Sequence, residues 1–327
     1  MKIAIVGAGA IGAYLGARLA LSGEDVYLIA RGPNLKEMQA RGVRVLSPDG
    51  DIEAHPTATD DYESIGPVDF VFLTVKAHSL PEIAPKLAPL LGPETAVVSA
   101  QNGIPWWYFQ GHGGPFDGAP IESVDPGGVI AGAITPSRII GCVVYPSTVM
   151  VRPGVIEHIE GNRFSIGELD GQNSDRCKRL AAAMIKAGFK CPIRSRIRHD
   201  LWIKLLGNVV FNPMSALTGA TLVEMATHPE ASNIARAVMA EADAVAEALG
   251  VRLPVSIEQR MEGAKKVGHH KTSMLQDLES GRPMELDSVV AVVIELGEKL
   301  GLPMPHTRTL YSCAKLLDQV RFGITPA

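Results

Sequence analysis

The sequence predicts an α/β protein in two parts: an N-terminal doubly wound parallel sheet with an antiparallel extension, followed by an all-α C-terminal domain. Three observations carry this expectation. Short β-branched runs alternate with helical stretches through the first half, the pattern of βαβ units. A glycine-rich turn joins the first of those runs to the first helix. From about Arg198 onward the helical period dominates. A chain of 327 residues suits two domains of ordinary size, and the change of pattern places them at residues 1–195 and 196–327.

Each element follows from local pattern. Lys2–Val6 is a short buried-strand run, Ile11–Leu21 has helical spacing, and Asp25–Ala30 and Asp69–Val75 read as further strands. Leu80–Leu91 has a helical pattern weakened by its prolines, and Thr95–Ala100 is the next strand. Ile139–Met150 and Val155–Ile159, joined at Pro153-Gly154, are expected as an antiparallel addition at the sheet's edge. Helices then follow at Leu201–Leu217, Ala231–Leu249, Ser256–Val267, Asp287–Leu300 and Thr307–Val320. Gly250 and Gly301 stand just past two of these runs, where helix stops belong. Pro105–Arg138 is a long irregular segment that begins with Trp106, Trp107, Tyr108 and Phe109; a surface excursion such as a subunit contact is favoured there over a substrate lid.

Composition excludes several classes. With 46% hydrophobic and 20% charged residues the chain is not disordered, and a formal net charge of −4 argues against nucleic acid as a partner. Cys142, Cys177, Cys191 and Cys313 are scattered, with no zinc-ligand spacing; they read as reduced thiols of a cytoplasmic protein or as core residues, and no metal is expected. Met1–Ser22 superficially resembles a secretory signal, but Gly7, Gly9, Gly12 and Gly16 break it at structured spacing. No run of about 18 apolar residues follows, so no membrane span is expected.

Gly7-Ala8-Gly9-Ala10-Ile11-Gly12 is a G-x-G-x-x-G between a strand and a helix, the context that makes it a dinucleotide loop of a Rossmann-like domain. Gly7 permits the turn, Gly9 the approach of a pyrophosphate, and Gly12 close helix–strand packing. The second strand ends on Ala30-Arg31, with no acid between Val26 and Lys36 to hold a ribose 2′-hydroxyl. A guanidinium there suits a 2′-phosphate, so NADP(H) is the expected cofactor; an ordinary exposed arginine is the alternative.

Lys204, Asn208 and Asn212 lie at i, i+4 and i+8 in an otherwise apolar helix and share one face. A helix apolar around most of its circumference is buried, so its polar stripe needs partners. Either the lysine surfaces and the asparagines cap neighbouring loops, or the stripe is a proton donor with two carboxamides facing a polar ligand. The second reading suits ketone reduction, in which an ammonium stabilises the developing alkoxide. Ser273-Met-Leu-Gln-Asp277 followed by Gly281-Arg282-Pro-Met-Glu285-Leu-Asp287 forms a further polar cluster. Lys76 and Asn102 follow strands at the carboxyl ends, where ligands of open α/β sheets bind.

With these residues assembled, the chain resembles the ketopantoate reductase family (2-dehydropantoate 2-reductase) nearly end to end. The resemblance rests on the glycine loop with Arg31, Lys76 in Thr-Val-Lys-Ala, Gln101-Asn102-Gly103, Lys204…Asn208…Asn212-Pro213, and the Ser273…Asp277, Gly281-Arg282, Glu285…Asp287 segment. It implies Lys204 as general acid, and Asn102, Asn208, Asn212 and Ser273 as substrate contacts. It also implies Lys76, Asn102 and Glu285 on the cofactor side, and a site in the cleft between the two domains. The implied reaction reduces the C2 ketone of ketopantoate to pantoate with NADPH, for coenzyme A synthesis. Two features depart from the family pattern: a further asparagine expected after the Asn-Pro helix is missing from Ala216–Leu222, and Pro105–Arg138 is longer than in compact members. A reductase of another 2-keto acid is therefore one alternative, and a non-catalytic NADP-binding sensor is another. The helical half also offers a surface for a homodimer.

Overall fold

The computed structural model describes residues 1–323. The chain forms two compact units, the first made of Met1–Gln101, Trp106–Pro120 and Asp125–Ile197. The second takes Asn102–Pro105, Ile121–Val124 and the chain from Arg198 on. Two short stretches of the first half thus belong to the helical unit, which no local pattern announces.

In the first unit, β1 (Lys2–Val6), α1 (Ala10–Leu21), β2 (Asp25–Ile29) and α2 (Gly32–Arg41) open the chain, followed by β3 (Val43–Leu46), β4 (Ile52–Ala54) and β5 (Thr57–Thr59). Next come β6 (Phe70–Leu73), the short α3 (Leu80–Ile83), β7 (Ala96–Ser99), the short α4 (Val129–Ala133) and β8 (Ile139–Val144). The unit ends with β9 (Ser147–Arg152), β10 (Val155–Glu160), β11 (Phe164–Glu168) and α5 (Asp175–Lys186). The main sheet has the order β11-β8-β7-β6-β1-β2-β5. All its pairs are parallel except β11 with β8. Strands β6, β7 and β8 are buried along their whole length, as central strands covered on both faces must be. The order turns outward in both directions from β1 and β6, so the switch point lies at the carboxyl end of β1, beside the glycine loop.

The antiparallel extension exists, but a different strand makes it. The β9–β10 hairpin expected at the sheet's edge belongs instead to a second sheet of order β4-β3-β10-β9, while β11, unread in the sequence, pairs antiparallel with β8. The single strand expected over Ile139–Met150 is broken after Val144, where Pro146 supplies no N–H to a ladder. Over Leu80–Leu91 the three prolines leave one α-turn and a 3₁₀ stretch, Ala84–Leu90, rather than one helix. The aromatic start of Pro105–Arg138 is no surface excursion. Trp106, Trp107, Tyr108 and Phe109 are all buried, and the Trp107 ring fills the space a side chain on Gly141 of β8 would need.

The second unit contains α6 (Ile197–Thr218), α7 (Leu222–Thr227), α8 (Pro229–Ala248), α9 (Ile257–Val267) and α10 (Ser273–Glu279). A π-turn (Asp287–Ala291) then runs into α11 (Val292–Lys299), and α12 (Pro305–Phe322) ends the described chain. α8 shows why these helices form: Ala235, Val238, Met239, Ala242, Val245 and Ala246 make one buried stripe at three- and four-residue spacing. Gly250 and Gly301 stop their helices with φ of +79° and +68°. Cys142, Cys177 and Cys191 are buried free thiols and Cys313 is exposed. Among the described residues no helix is long and apolar enough to cross a membrane.

Candidate active site

The glycine loop is held in shape by backbone bonds that leave its outer side open. The N–H groups of Gly7 and Ala8 both donate to Ile29 O at the end of β2, at 3.1 and 3.0 Å. Thr74 Oγ1, just past β6, donates to Gly7 O at 2.8 Å, and Asn34 Nδ2 donates to Ala8 O at 2.6 Å. A Cβ on Gly12 would lie 2.2 Å from Gly7 O and 2.6 Å from Thr74 Oγ1, so helix and turn meet there only through a glycine. A Cβ on Gly9 would meet nothing within 4 Å. Gly9 caps α1, which has neither a side-chain cap nor an acidic residue in its first turn. The N–H groups at Ala10, Ile11 and Gly12 thus begin a helix whose N-terminus is unblocked, a fit for a pyrophosphate.

Arg31 is exposed and caps the start of α2, again with no acid in the first turn. Folding brings Glu82 of α3 within range of its charge. That carboxyl is held below its usual range, mainly by its bond to Lys86 and to a smaller degree by Arg31. Lys76 is half-buried and stands three residues beyond the end of β6, capping a 3₁₀ turn at Ala77–Ser79.

In the helical unit, α6 carries the polar stripe. Lys204 and Asn208 are half-buried and Asn212 is 5% exposed. Lys204 Nζ donates to Asn102 Oδ1 at 2.6 Å, so two residues separated by about a hundred positions are joined. The chain beside Asn102 is pinned where Ile104 N–H donates to Ser288 O at 2.9 Å. Glu285 is buried ahead of the π-turn, on a stretch gripped by α12. There Met284 N–H donates to Asp318 Oδ1 at 2.9 Å, while Tyr311 OH and Lys315 Nζ donate to Asp287 at 3.0 and 3.1 Å. Burial, and then Asp287, push the Tyr311 hydroxyl well above its ordinary pKa.

Ser273 is the exposed first residue of α10. Its neighbour Thr272 caps that helix and meets Ser215 of α6 at 2.5 Å between hydroxyl oxygens, and Ser215 Oγ donates to Asn212 O at 2.9 Å. Sequence reasoning missed Ser215 and Thr272; the one available signal was Ser215, three residues beyond Asn212 on the same helix face. It missed Arg260 too. That guanidinium lies against Gly207, where a Cβ would come within 2.4 Å of Nη2, placing a cation next to the stripe. Arg282 is used inside its own segment, with Nε donating to Asp277 Oδ1 at 3.1 Å. Thr221, in the stretch lacking the family asparagine, forms a capping box with Glu224.

The first unit has the architecture of a Rossmann-type dinucleotide-binding domain, and the second is a helical domain bearing a lysine–asparagine stripe. Comparison with known proteins narrows this class. Residues 3–112 match the family described as ketopantoate reductase PanE/ApbA, and residues 196–318 match its C-terminal domain. A 2-dehydropantoate 2-reductase from Mesorhizobium japonicum is 50% identical, covering 93% of this chain and 94% of its own. A solved structure from Ralstonia solanacearum MolK2, assigned to the ketopantoate reductases, is 42% identical with a TM-score of 0.93 over 98% of both chains. A D-mandelate dehydrogenase solved with NADH and anilino(oxo)acetate shares the fold at 20% identity, with a TM-score of 0.83 over 98% of this chain and 99% of its own. The chain belongs to the ketopantoate reductase family. It is an oxidoreductase acting on CH–OH groups, from a family of dinucleotide-binding reductases.

Proposed function

We propose that this protein reduces the C2 ketone of 2-dehydropantoate to pantoate with NADPH, with Lys204 as the general acid, and so serves coenzyme A synthesis. The observation that carries the reading is the 2.6 Å bond from Lys204 Nζ to Asn102 Oδ1. An ammonium held by a carboxamide is fixed in direction, and a fixed donor can meet an oxyanion as it forms. Asn208 and Asn212, on the same face of α6, together with Ser273 and Asn102, hold the keto acid. The glycine loop from Gly7 to Gly12 (with Ala8, Ala10 and Ile11 between) holds the pyrophosphate at the α1 N-terminus, Arg31 takes the 2′-phosphate, and Lys76, Asn102 and Glu285 complete the nucleotide contacts. When bound, the dihydronicotinamide supplies the hydride. Lys204 supplies the proton to the carbonyl oxygen, and the apolar sides of α6 keep its surroundings dry, which strengthens the donor's effect.

A reductase of a different 2-keto acid keeps every one of these roles, so the substrate is tested separately from the chemistry. Loss of NADPH absorbance is followed with ketopantoate and with a panel of bulky 2-keto acids, and ketopantoate should give the highest kcat/KM. Lys204→Ala should lower kcat by about 10²–10⁴-fold while NADPH still binds. Wild-type turnover in that variant would remove the lysine from the mechanism. NADPH binding with no turnover of any keto acid by the wild type would point to a sensor.

A further inference from the structure

We infer that the π-turn at Asp287–Ala291 and the glycine at position 103 together position the Asn102–Lys204 pair, an inference that rests on the reading of Lys204 as proton donor. A π-turn accommodates one extra residue in a helix and frequently marks a functional site. Here the extra residue has a visible consequence. Val292 N–H bonds five residues back, to Asp287 O. In an α-helix the same donor would go four residues back, to Ser288 O. The Ser288 carbonyl, released from that donor, accepts Ile104 N–H at 2.9 Å.

That contact also needs a residue without a side chain at position 103. A Cβ there would stand 1.8 Å from Ser288 O and 2.4 Å from its carbonyl carbon, and the backbone has φ of +88°. Only glycine meets both demands. Asn102 is the adjacent residue, and its Oδ1 receives the Lys204 ammonium at 2.6 Å. The turn is anchored from behind by Tyr311 and Lys315 of α12, which both bond Asp287. A line of fixed contacts therefore runs from α12 through the π-turn and Gly103 to Asn102 and the lysine. A shift of about 1 Å in Asn102 would carry its bond to Lys204 outside hydrogen-bonding distance. Gly103 and the π-turn touch no substrate in this account; they act through Asn102.

The test is a double-mutant cycle on the full chain, with NADPH and ketopantoate as reactants. Gly103→Ala should lower kcat by on the order of 10²-fold, the effect of a misplacement of about 1 Å. In an Asn102→Ala background the same substitution should lower kcat no further, because its route to the lysine is already cut. Equal loss in both backgrounds would mean a general structural effect and would overturn the inference. If Gly103→Ala does not fold, Tyr311→Phe with Lys315→Met loosens Asp287 without touching Asn102 or Gly103. That pair should reduce kcat by about 2- to 30-fold in the wild type and not at all with Asn102→Ala. Equal factors, or no loss in the wild type, would again overturn it. Lys204→Ala is measured alongside: full turnover there would defeat the proton-donor reading itself, an outcome separate from additivity in the cycle.

Discussion

Replacing Arg31 with alanine should change the coenzyme preference, by an amount that follows from where the residue stands. Arg31 is exposed at the cap of α2, and that helix has no acidic residue in its first turn. Under the proposed reading two positive sources would meet a 2′-phosphate: a guanidinium forked for paired bonds, and the helix N-terminus, which adds about 0.3–1 kcal/mol. Hydrogen bonds to charged groups contribute about 1.5–3 kcal/mol. Alanine removes the guanidinium and leaves the helix, so kcat/KM for NADPH should fall roughly 10- to 150-fold, tenfold per 1.36 kcal/mol. NADH carries a hydroxyl at that position and should be nearly unaffected. Because Arg31 is solvent-exposed, added salt should also erode the wild-type preference. Glu82, within range of Arg31, opposes a phosphate, and Glu82→Gln should shift the preference the other way by a smaller factor. The assay is initial-rate kinetics with both coenzymes at fixed keto acid. An unchanged NADPH:NADH ratio in Arg31→Ala would refute the argument.

Other substitutions test the remaining contacts. Gly9→Ala meets no protein atom within 4 Å, so thermal stability should hold while NADPH affinity, read by fluorescence titration, falls at least about tenfold. Gly12→Ala, with its Cβ 2.2 Å from Gly7 O, should lower both. Gly207→Ala displaces the Arg260 guanidinium, and KM for the keto acid should rise with KM for NADPH unchanged; Arg260→Gln should reproduce the effect, and an unchanged keto acid KM in both would give that cation no part in substrate binding. Glu295 accepts the N–H groups of Glu122 and Ser123 at 3.0 and 2.8 Å. Burial raises its pKa, but these bonds and Lys299 outweigh that and hold it below the usual range. Its contribution is therefore present above the ordinary carboxylate pKa and is lost as pH falls through the depressed folded value. Glu295→Gln removes the charge and sets an amide NH2 against one of these N–H groups, so Tm at neutral pH should fall. The gap in Tm between variant and wild type should close as the pH is lowered below the ordinary carboxylate range.

What the sequence disclosed was what is local in it. The glycine loop is a six-residue pattern flanked by a strand and a helix, and the Lys204 stripe is one helix read at its own period. The helical segments of the second half also lie close to where periodicity puts them, α9 at Ile257–Val267 and α12 at Pro305–Phe322 among them. The missing pieces are pairings at long range. The second sheet joins β3 to β10, more than a hundred residues apart, and nothing in Val43–Leu46 names its partner. The β9–β10 hairpin was legible as a hairpin, whereas the sheet that would receive it was not. The π-turn is hidden because Val289–Ile294 is an unbroken apolar run. One inserted residue leaves no gap in such a pattern, and only the bond from Val292 to Asp287 reveals it.

The sparse aromatics bear on this in a way the sequence could not show. Two of the three tryptophans follow Asn102 closely, which invites a role in substrate choice. Their burial argues for a mechanical role instead. Gln101, the last residue of its stretch of the first unit, donates to Leu73 O at 2.7 Å and accepts from Ser99 Oγ at 3.0 Å. Trp106 to Phe109 re-enter the same unit as buried core. The four residues between, Asn102–Pro105, belong to the second unit, where Ile104 N–H donates to Ser288 O. A segment so short, bonded to the π-turn through Ile104, has little freedom to lose when a ligand binds, and ordering a residue's backbone otherwise costs about 1–2 kcal/mol. The aromatic cluster is buried core of the first unit, a structural role. Under the proposed reading, the side chains to test for selection among 2-keto acids are Arg260, which lies beside the Lys204 stripe, and Thr221.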